Sequence, residues 1–129
     1  MALPRGGLRK AGAPDEDEIS DDIELADSFG SRFWGLMGRR AMAIHAGLWL
    51  TGTSSIHMLF MRFSIDAVFL GQRTPDGSRP VLAIRSNLRP WTSVVWLVRG
   101  AEICLELPAG VAATAALAVG DQLIYTLDH

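Results

Sequence analysis

Ser55-Ile-His-Met-Leu-Phe-Met-Arg-Phe-Ser-Ile-Asp-Ala-Val-Phe-Leu70 is the stretch on which the fold turns. Read with the period-2 alternation of a strand, Ile56, Met58 and Phe60 share one face, and His57, Leu59 and Met61 the other. Both faces are apolar, which places the strand inside the domain rather than on an open surface. Ile65–Leu70 reads as a second strand, entered through Asp66 and otherwise wholly apolar. A loop follows at Gly71–Ser78, where Pro75 presets φ and Gly77 accepts a positive one. Val81–Ser86 returns as the partner, so residues 65–86 form an antiparallel hairpin.

Outward from this hairpin the same punctuation repeats. Ile23–Ala26, Gly47–Leu50, Val94–Val98, Glu102–Leu107 and Gln122–Leu127 read as further short strands. Phe29, Phe33, Leu36 and Met37 recur at helical spacing behind the N-cap candidates Asp27 and Ser28, and Val111–Leu117 reads as a second short helix. About eight short strands with one or two short helices predict a mainly β domain, a compact barrel or strongly bent antiparallel sheet. An α+β arrangement is the alternative. Parallel βαβ units are not expected, because most connections are too short for a crossover.

The chain has 129 residues, 49% of them hydrophobic, enough for one domain with a core that needs no disulfide or structural metal. Asp15, Glu16, Asp17, Glu18, Asp21 and Asp22 concentrate the acidity, so residues 1–21 read as a flexible acidic tail before a single domain at 22–129. The apolar runs are too short to span a membrane and the basic N-terminus lacks an apolar signal core, so a soluble, cytoplasmic protein is expected. The arginines from Arg62 to Arg99 are dispersed, the pattern of a solvated face, and no nucleic-acid partner is expected. Cys104, the single cysteine, excludes an intrachain disulfide and a multi-cysteine zinc site. Alternation sets it with Glu102 and Glu106, as a half-buried thiol.

Five residues stand out as candidates for a ligand site. His57 on an interior strand is either a neutral imidazole bonded within the core or a pocket donor, acceptor or base. Arg62 and Asp66 flank a bend at Ser64, either as a structural pair and turn cap or as polar lining of a site. Glu106 sits between Leu105 and Leu107, where an ionised carboxylate needs a cation or donors. Trp91, following Pro90, walls a pocket or covers the end of the sheet. Copper ligation by His57, Met58 and Met61 is not expected, since His57 and Met61 lie roughly 13 Å apart along a strand and Met58 points away. Nucleotide-binding and hydrolase signatures are absent from the sequence, and no cofactor is expected.

These residues, with Arg32-Phe-Trp-Gly-Leu-Met-Gly-Arg39, Pro90-Trp91, Leu105-Glu-Leu-Pro-Ala-Gly110 and Gly120-Asp121, make residues 23–127 resemble the family catalogued as domain of unknown function 192. The resemblance implies a compact, mostly β fold with short helices and carries no activity, substrate or cofactor. This chain departs from the family pattern at Gly52-Thr53, often Pro-Cys, and at Ser64, often Pro. The first departure removes a thiol beside His57 and argues against Cys–His chemistry. The reading that results is a small-molecule-binding or accessory module with a polar pocket. A small hydrolase or lyase using His57 and Asp66 is one alternative, and an interaction domain docking through the acidic tail is another, its protein partner unknown.

Overall fold

A computed structural model describes residues 4–12, 18–26, 46–51, 56–57, 64–89, 94–95 and 98–128. Within them the chain forms β1 (Arg5–Lys10), β2 (Ser20–Ala26), β3 (Ala46–Thr51), β4 (Ile56–His57), β5 (Ile65–Leu70), β6 (Arg79–Leu88), β7 (Val94–Val95), β8 (Ile103–Pro108), α1 (Val111–Thr114) and β9 (Gln122–Leu127). Seven strands close a barrel in the order β1-β2-β3-β8-β5-β6-β9, and β4 pairs with β7 in a separate two-stranded sheet. The mainly β expectation holds, and its barrel form is the one observed. The helix expected through Phe29, Phe33, Leu36 and Met37 lies outside the described residues, as do most of the strand expected over Ser55–Met61 and the residues around Trp91.

The hairpin forms as its sequence predicts. β5 and β6 pair antiparallel, with Phe69 opposite Ala83 and Ala67 opposite Arg85. The loop between them is stitched by its own polar side chains: Asp76 Oδ1 accepts from the Ser78 backbone N–H at 2.9 Å and from the Ser78 hydroxyl at 2.6 Å, and Thr74 Oγ1 donates to it as well. Those donors hold the Asp76 carboxyl at about 2, below the usual carboxylate range.

Two departures from the sequence reading are informative. Residues 5–10, expected within a flexible tail, form β1 and close the barrel between β2 and β9. Only Leu8 brings a large apolar side chain to the interior, so hydrophobic periodicity is nearly silent there. Gly6 replaces bulk with proximity: a Cβ at this position would run into the backbone at Thr126. Backbone bonds complete the seam, Leu25 N–H to Pro4 O at 2.7 Å and Asp128 N–H to Arg5 O at 2.9 Å. The second departure is that β2 and β3 run parallel, with Ile23 opposite Gly47 and Leu25 opposite Trp49. The 19 residues from 27 to 45 lie between them, enough for a crossover.

The core has two parts because some strands are buried on both faces. Leu8, Ile23, Trp49, Val68, Leu70, Val81, Ile103, Leu105, Leu107 and Leu123 come from all seven barrel strands and fill the interior. Leu48, Leu50, Ile65, Ala67, Phe69, Ala83 and Cys104 come only from β3, β8, β5 and β6 and form a second cluster on the outer face of those strands. Every residue of β5 is buried in consequence, a continuous apolar strand rather than an alternating one.

Candidate functional site

Of the five candidate residues, Asp66 and Glu106 are the two whose side chains are described, and these two do not converge. Asp66 and Glu106 are both buried, at 1% and 4% exposure, but they belong to opposite faces of the β5–β8 ladder. Ala67 faces Glu106 across it and Asp66 faces Leu107, one step out of phase. Asp66 therefore points inward at the end of the barrel, and Glu106 lies on the outer face beside Cys104. His57 is described through its backbone, opposite Val94 in β4–β7. Arg62 and Trp91 lie outside the described residues.

Both oxygens of Asp66 are taken by backbone donors. Oδ1 accepts from Asn87 N–H at 2.8 Å, and Oδ2 accepts from Gly110 N–H and Ala112 N–H, each at 3.0 Å. These donors are ones that regular structure leaves without a partner. Asn87 has φ 54° where the β5–β6 register shifts between Ile65 and Ala67, a bulge that twists its N–H out of the ladder. Gly110 is the N-cap of α1, with φ 94° and no side chain of its own to cap the first turn. Asp66 supplies that cap from another element, tying β5, the β6 bulge and α1 together.

Glu106 has a different environment. Leu48 and Ala67 are its direct cross-strand neighbours on β3 and β5. Burial pushes its carboxyl up to about 8, so the acid form predominates near neutral pH. Cys104, two residues earlier on the same face, is fully buried rather than half-buried, and burial with Glu106 nearby raises its thiol well above the ordinary value. That thiol is an unreactive neighbour. Among the described residues, no group of three His, Cys, Asp or Glu side chains is placed to hold a metal ion.

A further set of residues was not among the sequence candidates. Trp49 on β3 and Tyr125 on β9 stack inside the barrel with ring centroids 4.8 Å apart and planes 20° from parallel. Together with Arg73, Gly77 and Arg79 they line a cleft of about 180 Å³. The Tyr125 hydroxyl donates to Ile23 O at 2.6 Å, and burial lifts its phenol to about 12. The available signal was inward alternation, which places Trp49 with Gly47 and Tyr125 with Leu123.

A comparison with known families assigns this architecture. The model of DUF192, described as "Uncharacterized ACR", matches residues 12–125. The chain belongs to the DUF192 family. Two archaeal relatives, named as UPF0127 proteins, agree with the assignment. The Pyrococcus furiosus protein is 33% identical over 109 residues, covering 82% of this chain and 88% of its own. The Thermococcus sibiricus protein is 33% identical over 111 residues, covering 83% of this chain and 68% of its own. The DUF192 barrel is also seen in crystal structures that share the fold. A Sinorhizobium meliloti protein, described provisionally as a transcription regulator, superposes with a TM-score of 0.74 at 24% identity, covering 95% of this chain and 92% of its own. A Novosphingobium aromaticivorans protein of unknown function gives 0.72 at 22% identity, covering 94% and 85%. No helix among the described residues is long and apolar enough to cross a membrane.

Proposed function

We propose that this DUF192 domain is a small-molecule-binding or accessory module whose polar contacts gather on the buried outer face of β3, β8 and β5. The observation that carries the reading is Glu106, a carboxyl buried among Leu48, Ala67 and Cys104 and raised to about 8. A buried carboxylic acid offers one donor and one acceptor against an apolar wall, the means by which a largely apolar site orients a ligand. Chain connectivity adds His57. β4 lies in the connection from β3 to β5, the strands flanking β8, and Arg62 belongs to the same connection. Trp91 belongs to the connection from β6 to β8, which also carries β7, the partner of β4.

Two observations favour binding over the other readings. As a general base with His57, Asp66 would have to surrender acceptors that three backbone N–H groups occupy. For a docking tail, Asp22, the last of the six clustered acids, lies in β2 and is already paired with Arg5 of β1.

The test is a thermal-shift screen of metabolites, sugars and organic anions on the full chain and on His57→Ala and Glu106→Gln. At least one compound is expected to raise the Tm of the unaltered protein and to lose that effect in both variants. No stabilising compound, or a shift that survives both substitutions, would overturn the reading.

A further inference from the structure

The loop end of the barrel carries a second arrangement, away from the face that bears Glu106. Arg73 and Gly77 come from the β5–β6 loop, Arg79 from the first position of β6, Trp49 from β3 and Tyr125 from β9. Arg79 is opposite Leu123, an interior residue, so its side chain is directed to the mouth of the barrel. There its guanidinium donates to Gly71 O at 2.9 Å and to Glu102 Oε1 at 3.0 Å. Its charge is thus fixed in position and partly offset. Arg73 has no hydrogen-bond or ion-pair partner among the described residues. The Arg73 guanidinium lies over the turn at Gly77, where even a Cβ would meet it only in ordinary van der Waals contact at 3.6 Å. The loop itself is held by the Thr74, Asp76 and Ser78 network, and Ser78 Oγ also meets Gln122 Oε1 at 3.0 Å.

An uncommitted guanidinium on a stiff loop, a second one fixed beside it, and a stacked indole–phenol wall specify a chemistry. Arginine presents a planar fork that matches a carboxylate bidentately, and aromatic side chains supply flat apolar area. At about 180 Å³ the cleft is smaller than the roughly 300–1,000 Å³ of sites for drug-sized ligands, which limits the occupant to one ring or its equivalent. We infer that the cleft formed by Trp49, Arg73, Gly77, Arg79 and Tyr125 is a binding site for a small organic carboxylate with a flat apolar body. Arg73 takes the carboxylate, Arg79 adds field without leaving its own partners, and the aromatic pair lies along the body. This site stands independently of the reading built on Glu106.

The experiment is an NMR titration of the ¹⁵N-labelled full chain with benzoate, inorganic phosphate and benzylamine, followed at the Trp49 indole N–H, and repeated on Arg73→Gln. Arg73 is exposed, so the variant is expected to fold as the parent does. Benzoate at millimolar concentration is expected to shift the Trp49 signal, with affinity at least about tenfold weaker in R73Q. Phosphate is expected to bind more weakly than benzoate and benzylamine not to compete. Equal benzoate affinity in R73Q, equal binding of phosphate, competition by benzylamine, or no shift at the Trp49 indole would each overturn the inference.

Discussion

Asp66 and Glu106 show how position, rather than residue type, divides labour between two buried acids. Asp66 answers backbone groups that chain bends have stranded, and its removal strands them again. Asp66→Asn keeps one acceptor and loses the other, so we expect a loss of roughly 2–4 kcal/mol in urea unfolding, with Asp66→Ala costing more. Glu106 answers to burial. From about 4.5, its ordinary value, to about 8 the unfolded chain releases this proton and the folded chain keeps it. Stability therefore falls as pH rises through that window and levels off above it. Glu106→Gln is expected to flatten the fall, which is up to roughly 5 kcal/mol for a shift of this size. Urea midpoints of both proteins from pH 5 to 9 measure it. The burial of both acids was legible from the apolar residues beside them. Their separation was not, because the donors to Asp66 are amides whose freedom depends on a bulge and a helix start that no side chain announces.

Among the elements, β5–β6 was the most readable because three signals agree: an apolar run, a Pro-Asp-Gly turn and a returning strand. β9 was legible to the residue for a similar reason, entered by a Gly-Asp turn. α1 is shorter than its sequence pattern, ending at Thr114. Its start depends on Gly110 at φ 94° and on the carboxylate of Asp66 rather than on helix propensity. Gly110→Ala is expected to destabilise by about 1 kcal/mol through the left-handed backbone alone, read as a lower urea midpoint with unchanged slope. If Asp66 is the cap, the double variant with Asp66→Asn will cost less than the two single losses added, since both act on the same turn.

At the scale of the whole molecule, the barrel depends on the strand that its sequence conceals. β1 joins β2 to β9 through backbone bonds, one interior leucine and a glycine that lets β1 and β9 approach closely. A truncation removing residues 1–12 leaves β2 and β9 with open edges and is expected to abolish cooperative thermal unfolding, checked by circular dichroism. A solvating tail would leave the melt unchanged. Hydrophobic periodicity could not find this strand, since it reads side chains and β1 contributes backbone. The parallel β2–β3 pair escaped for a related reason: nothing in either strand marks the direction of its neighbour. On the proposed function the two buried acids serve separate ends, Asp66 the fold and Glu106 a ligand. A thermal-shift comparison of Asp66→Asn and Glu106→Gln with any compound that stabilises the parent tests it most directly. Asp66→Asn is predicted to lower the Tm and keep the ligand-induced shift, while Glu106→Gln does not lower the Tm, raises it near neutral pH where the buried acid is costly, and loses the shift. The reverse pattern, with the shift lost in Asp66→Asn and kept in Glu106→Gln, would contradict the account.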